Sequence, residues 1–143
     1  MKILIVCLGN ICRSPLAHAI LNDLTDVNTF VDSAGTSNYH LNKKPDHRMI
    51  TTAFKHGFNL NELRARQFTL DDFENFDIIY AMDHSVLQDI LKLTDNPLYK
   101  NKVQLFLDDQ DVPDPYFWGQ ENFDNVFSII HKRCKSISTN LYG

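Results

Sequence analysis

The sequence predicts an α/β domain: a four-stranded parallel sheet flanked by helices in three layers. Three observations lead there. Short runs rich in β-branched and other large apolar residues, at 3–6, 29–32, 77–82 and 103–107, read as strands. They alternate with segments whose apolar residues recur at helical spacing, which implies parallel strands joined by right-handed crossovers. The 143 residues, 43% hydrophobic and 22% charged, fit one globular domain spanning 1–143. Ligands of such sheets bind beyond the carboxyl ends of the strands.

Each element has its own signal. The run 3–6 is wholly apolar and reads as a strand buried on both faces. Ser14-Pro15 reads as a helix start, with Ser14 at the N-cap and Pro15 at the first helical position. Leu16, Ala19, Ile20 and Leu24 carry that helix to about residue 25. The second strand leads into Ser33-Ala34-Gly35-Thr36, and a polar loop holding Asn38-Tyr39-His40 follows. A helix over 46–56 stops at Gly57. Arg64 and Arg66 read as solvated or structural, and Thr69 as the cap of a short acidic turn over 70–74. Asp83 caps a helix running from the third strand to about residue 93. Between the fourth strand and the last helix, 121–141, lies a stretch with Pro113, Pro115 and three consecutive aromatic residues, 116–118, too apolar for a solvated linker. The last helix carries Phe123, Phe127, Ile130, Cys134, Ile137 and Leu141 on one stripe, which makes Cys134 a core residue.

The loop between the first strand and the first helix carries the chemistry. It reads Cys7-Leu8-Gly9-Asn10-Ile11-Cys12-Arg13-Ser14, a C-x5-R-S pattern between a buried strand and a helix start. Inward-pointing amides of a tight loop form an anion-binding nest, and Gly9 and Asn10 suit the close approach and left-handed conformation such a loop uses. The Arg13 fork can hold two oxygens of a phosphoryl group. A free thiol ionises near pKa ~8.5, and helix N-termini and neighbouring cations favour the thiolate. The Ser14 hydroxyl is placed to add a hydrogen bond. Cys7 therefore reads as an activated nucleophile beneath a bound phosphate.

Composition excludes several classes. With 14 Lys and Arg against 18 Asp and Glu, the net charge is −4 and there is no basic run, which argues against nucleic acid. No apolar stretch reaches membrane length and no signal peptide is evident, so a cytoplasmic protein without membrane association is expected. Cys7, Cys12 and Cys134 do not form a secreted disulfide framework, and neither C-x2-C nor H-E-x-x-H spacing predicts a metal site. Neither G-x4-G-K-[ST] nor G-x-G-x-x-G is present, which disfavours a nucleotide-binding domain.

The run CLGNICRS followed by Pro15-Leu16-Ala17 resembles the phosphate-binding loop of the low-molecular-weight protein tyrosine phosphatases, and the resemblance extends over nearly the whole chain. It implies a flavodoxin-like strand order with the phosphate-binding loop after strand 1. It also implies hydrolysis of protein phosphotyrosine and small aryl phosphates through a phosphocysteine, with no cofactor and no metal. Cys7 would be the nucleophile, Arg13 the phosphate clamp, and Leu8, Gly9, Asn10, Ile11, Cys12 and Ser14 the phosphate-binding loop. Asp114-Pro115-Tyr116 resembles the family's acid loop, which makes Asp114 the general acid, with Asp111 in reserve. Such an acid has a purpose here: a phenol of pKa about 10 leaves poorly as its anion at neutral pH.

The resemblance places Tyr39 on the rim of the cleft and, with Leu8, Ile11, Tyr116 and Phe117, makes it a wall for an aromatic ring. Related protein-arginine phosphatases carry threonine where this chain has Ile11, so Ile11 favours phosphotyrosine. Partners would be a tyrosine-phosphorylated protein, with a tyrosine kinase among the candidates, and phosphate or other oxyanions. Ser33 either braces Asn10, as in the family, or belongs to a plain strand-ending turn. Cys12 either pairs reversibly with Cys7 under oxidant, as in the family, or is a packing thiol. Two departures stand out: Phe117-Trp118 follow Tyr116 where many relatives have Tyr and a small residue, and Val86 stands where an asparagine is common. An arsenate reductase would share the loop but needs further cysteines, and only Cys134 lies outside it. A noncatalytic phosphate-binding module is a further alternative.

Overall fold

The computed structural model describes residues 1–116 and 118–142. Its central element is β1 (Lys2–Cys7), whose residues Ile3, Leu4, Ile5 and Val6 are all fully buried. Burial on both faces follows from pairing on both sides. β1 runs parallel to β2 (Phe30–Gly35) on one edge and to β3 (Ile78–Ala81) on the other, and β3 carries β4 (Val103–Leu105). The order β2-β1-β3-β4 is the flavodoxin-like parallel sheet that the resemblance implies.

Alternation along β1 divides the interior. Ile3, Ile5 and Cys7 face a core shared with α1 (Arg13–Leu24) and α6 (Gln120–Tyr142). Leu4 and Val6 face a smaller core with Ile79, Ala81, Phe73 of α3 (Asp71–Asn75), and Val86 and Ile90 of α4 (His84–Leu91). Each of the valine, leucine, isoleucine and phenylalanine side chains among them stabilises the fold by roughly 1.5–3 kcal/mol relative to exposure. α2 (His47–Lys55) packs on α6, and α5 (Pro97–Lys100) precedes β4. Among the described residues no helix is long and apolar enough to cross a membrane.

Asp83 caps its helix as expected, accepting the Val86 N–H at 2.8 Å, and Asp46, read from the sequence only as the start of its helix, caps it by accepting the Arg48 N–H at 2.8 Å. Gly57 ends α2 at φ 88°. Other boundaries differ. β2 continues through Ser33-Ala34-Gly35, because the Gly35 amide donates to the Arg66 carbonyl at 2.8 Å and its carbonyl accepts from Phe68 at 2.7 Å, so the segment is held on both edges. α1 begins at Arg13 with Cys12 in the N-cap position, so Ser14 is not the cap. Pro15 still falls in the first turn, where the amide has no intrahelical partner. Thr69 does not cap α3 through its side chain; its N–H donates instead to the Asp72 carboxylate at 2.8 Å. α5 was not foreseen, although Asn96-Pro97 is a cap-and-proline start, with Asn96 accepting from Leu98 N–H at 2.9 Å.

Strand order now places the site. The chain leaves β1 toward α1 on one face while β2 and β3 flank it, so a crevice opens at the carboxyl end of β1. Gly35 lies against that crevice: a Cβ there would sit 2.8 Å from the Leu8 carbonyl oxygen and 3.1 Å from the Asn10 nitrogen. We expect Gly35→Ala to push the 8–10 backbone outward at a cost of about 1–3 kcal/mol. A thermal melt should drop by several degrees and phosphate affinity, measured by calorimetry, should fall; an unchanged affinity would show that the loop does not depend on this approach.

Candidate active site

Cys7 ends β1 and is 2% exposed, and its sulfur has two hydrogen-bonding neighbours. The Asn10 amide donates to it at 3.2 Å, and the Ser14 hydroxyl lies 2.9 Å away. Asn10 adopts φ 56°, the left-handed turn its type tolerates, and this sends its side chain inward. Its Nδ2 donates to Ser14 Oγ at 2.8 Å, and the hydroxyl has two acceptors for its own proton, the sulfur at 2.9 Å and the Ala34 carbonyl at 3.5 Å. Its Oδ1 accepts from the Arg66 amide at 3.0 Å. The Arg66 guanidinium is pinned by Asp72 at 3.0 and 3.1 Å and by Asp32 at 3.2 Å, so Arg66 is structural, as read. Ser33 does not brace Asn10. Its hydroxyl pairs with His18 Nδ1 at 2.9 Å, because β2 continues past it and turns the side chain toward α1.

Arg13 is 2% exposed and meets three acceptors: Asp83 Oδ2 at 2.7 Å, the Val112 carbonyl at 3.0 Å and Asp114 Oδ2 at 3.5 Å. Burial opposes its charge, but the neighbouring Cys7 and the carboxylates of Asp83 and Asp114 outweigh that and hold its pKa above the ordinary arginine value. Asp83 thus has two duties, capping α4 through Oδ1 and anchoring Arg13 through Oδ2. The sequence showed only the cap. The available signal for the second duty was its position just past β3, beside the end of β1.

These groups surround a cleft of about 160 Å³. Cys7, Gly9, Cys12 and Arg13 line it together with the expected walls Leu8, Ile11, Tyr39 and Tyr116. Asp114 also lines it, its Oδ1 accepting the Tyr116 amide at 3.1 Å. Phe117, expected as a further wall, lies outside the described residues. Asn10 and Ser14 are not among the lining residues; the Asn10 backbone amide and the Ser14 hydroxyl serve the sulfur from behind. His40, which the sequence reading did not single out, lines the cleft and lies against Tyr116, ring centroids 6.1 Å apart. A Cβ at Gly9 would come within 3.0 Å of that imidazole.

Asp111, the reserve acid, is not among the lining residues and pairs with His84, accepting its amide at 2.8 Å and meeting its Nδ1. The His84 amide, with the imidazole behind it, lowers the Asp111 pKa and holds it ionised. All three cysteines are free thiols. Burial, with the charges of Cys7, Asp114 and Asp46, raises the Cys12 pKa well above an ordinary thiol. Cys134 is fully buried against the Ala17 carbonyl at 3.7 Å, so it is a core residue and not a relay for oxidising equivalents.

A nucleophile, a fixed cation and a carboxylate around one cleft suit displacement at a bound oxyanion. The family described as low molecular weight phosphotyrosine protein phosphatase matches residues 2–142. The chain is 40% identical to the low molecular weight phosphotyrosine protein phosphatase of Gallus gallus, with 94% of this chain and 92% of the relative covered. A protein tyrosine phosphatase of Entamoeba histolytica, solved with Hepes in the active site, superposes with a TM-score of 0.91 at 34% identity, covering 99% and 96% of the two chains. Wzb of Vibrio vulnificus in complex with benzylphosphonate gives 0.89 at 27% identity, covering 97% of each chain. This chain belongs to the low molecular weight phosphotyrosine protein phosphatases.

Proposed function

We propose that the protein hydrolyses phosphotyrosine in proteins, and small aryl phosphates, through a phosphocysteine on Cys7. One observation carries the reading: Asp114, 101 residues from Arg13 in sequence, lines the same cleft as Cys7 and Arg13. In the first step the Cys7 thiolate attacks phosphorus in line, the P–S bond forms and the P–O(aryl) bond breaks, and Asp114 gives its proton to the departing phenol oxygen. In the second, water attacks phosphorus and gives a proton to the Asp114 carboxylate. The P–S bond breaks, releasing phosphate and the thiolate. Arg13 and the loop amides stabilise the equatorial oxygens in both steps. The Ser14 hydroxyl, 2.9 Å from the sulfur, supports the thiolate as a leaving group.

Depth supports the choice of substrate. The nucleophile is 2% exposed beneath the walls Leu8, Ile11, Tyr39 and Tyr116, so a phenyl phosphate reaches it where the shorter phosphoserine does not. Benzylphosphonate, the ligand of the Vibrio vulnificus relative, likewise joins a ring to a phosphonate through one carbon. Ile11 adds apolar surface at the floor and favours a ring over a guanidinium. We further propose that Cys12 acts as a resolving thiol. Peroxide oxidises Cys7 to the sulfenic acid, the Cys12 thiol condenses with it and expels water, and an external thiol later reduces the disulfide. The position of Cys12 on the lining of the same cleft supports this.

Phosphate release in EDTA from phosphotyrosine, phosphoserine and phosphoarginine tests the first proposal. We expect rapid turnover of phosphotyrosine alone, none by Cys7→Ser, and a fall of about 10²–10⁴-fold in Asp114→Ala. Inactivity of reduced wild-type protein, or comparable turnover of phosphoarginine, would contradict it. For Cys12, activity is measured after peroxide and then reductant. Wild-type protein should recover, whereas Cys12→Ser should lose activity irreversibly, and equal recovery would rule the pair out.

A further inference from the structure

We propose that Arg48 is a positioning residue for the acid step, a clamp that sets the loop bearing Asp114 against the loop bearing Cys7. The inference rests on Asp114 being the general acid. Among the described residues of the 108–119 segment there is no helix or strand to hold it. Asp114 is oriented through its Oδ1, which accepts the Tyr116 amide at 3.1 Å. The carbonyl of the same Tyr116 accepts from Arg48 Nη2 at 2.6 Å, and the Trp118 carbonyl accepts from Nη1 at 3.0 Å. Two points on the acid loop are therefore fixed by one guanidinium.

The guanidinium is itself fixed. Asp46 holds it in a fork, Oδ1 accepting from Nε at 3.1 Å and Oδ2 from Nη2 at 3.0 Å. Its planar face lies over Phe123 of α6, 4.4 Å from guanidinium carbon to ring centroid. The other end of the clamp reaches the phosphate-binding loop, because the Asp46 amide donates to the Ile11 carbonyl at 2.6 Å. A continuous path thus runs from Ile11 through Asp46 and Arg48 to Tyr116 and Asp114, without substrate. Only a planar fork with several donors can serve the carboxylate and both carbonyls together; an ammonium cannot. Removing it should leave the nucleophile and its anion nest intact and let the acid wander, and a misplacement of about 1 Å can cost 10²-fold.

The experiment compares kcat/KM of wild type, Arg48→Met, Asp114→Ala and the double variant on phenyl phosphate and on 2,4-dinitrophenyl phosphate, whose phenol leaves without a proton. Arg48→Met should lose about 10–10²-fold on phenyl phosphate and under about 3-fold on the dinitrophenyl ester. Orthovanadate affinity should be unchanged. In the Asp114→Ala background the same substitution should add less than about 2-fold, since it would act through a group already removed. Equal losses on both esters, or an undiminished loss without Asp114, would mark Arg48 as a general structural residue and overturn the proposal. If Asp114→Ala itself fails to discriminate between the esters, the acid assignment falls and this inference with it. Arg48→Lys, read in the same way, serves where the methionine variant does not fold.

Discussion

A guanidinium buried to 2% exposure has to be neutralised where it stands, and much of this molecule is arranged to do that for Arg13. Taking such a charge out of water costs several kcal/mol unless acceptors replace the lost solvent. Here the acceptors come from separate places: Asp83 just beyond β3, and the Val112 carbonyl and Asp114 from the loop after β4. They can converge only because β3 lies directly beside β1 and the Val112 amide returns to the sheet, donating to the Met82 carbonyl at 2.8 Å. The cation that would hold a phosphoryl group is thus also the tie that draws these loops over the end of β1.

The sulfur depends on a second set of bonds running in the opposite direction, toward β2. Ser14 and the Asn10 amide touch Cys7, Asn10 is held by the Arg66 amide, and Arg66 is held by Asp32 and Asp72. Neither arm rests on a lone surface ion pair of the kind that contributes little. Each is a chain of directional bonds that is buried at its inner end, where losing one member would leave a donor or acceptor unpaired.

Local signals in the sequence were enough for much of this. The strand–loop–helix carrying Cys7 and Arg13, the cap Asp83, the stop at Gly57 and the core stripe holding Cys134 each depend on residues within a few positions of one another. What escaped depends on partners far apart. Nothing near Ser33 says that its hydroxyl will meet His18 on another element, and nothing near Asn10 points to an amide 56 residues away. Gly35 looked like a turn residue because the reason for glycine there is the backbone of a different loop. Ser14 carried a true signal for a helix start, but a cap and a thiol compete for one hydroxyl, and the cap position moved from Ser14 back to Cys12 while the hydroxyl went to the thiol.

Exposure separates the part of the site that would perform chemistry from the part that would select a substrate. Cys7, Asn10 and Arg13 are each 2% exposed, and Ser14 is fully buried. A substitution among them strands a buried donor or acceptor, at roughly 1–3 kcal/mol for each group. The rim is different: Leu8 is 45% exposed, Trp118 63% and Tyr39 74%. Changes at such surface positions usually fall within about 0.5 kcal/mol. A change at Trp118 would therefore alter what a flanking peptide meets without disturbing the side-chain bonds that hold Arg13 and Cys7. The fold can change what it recognises at its rim because the groups beneath are secured independently of it.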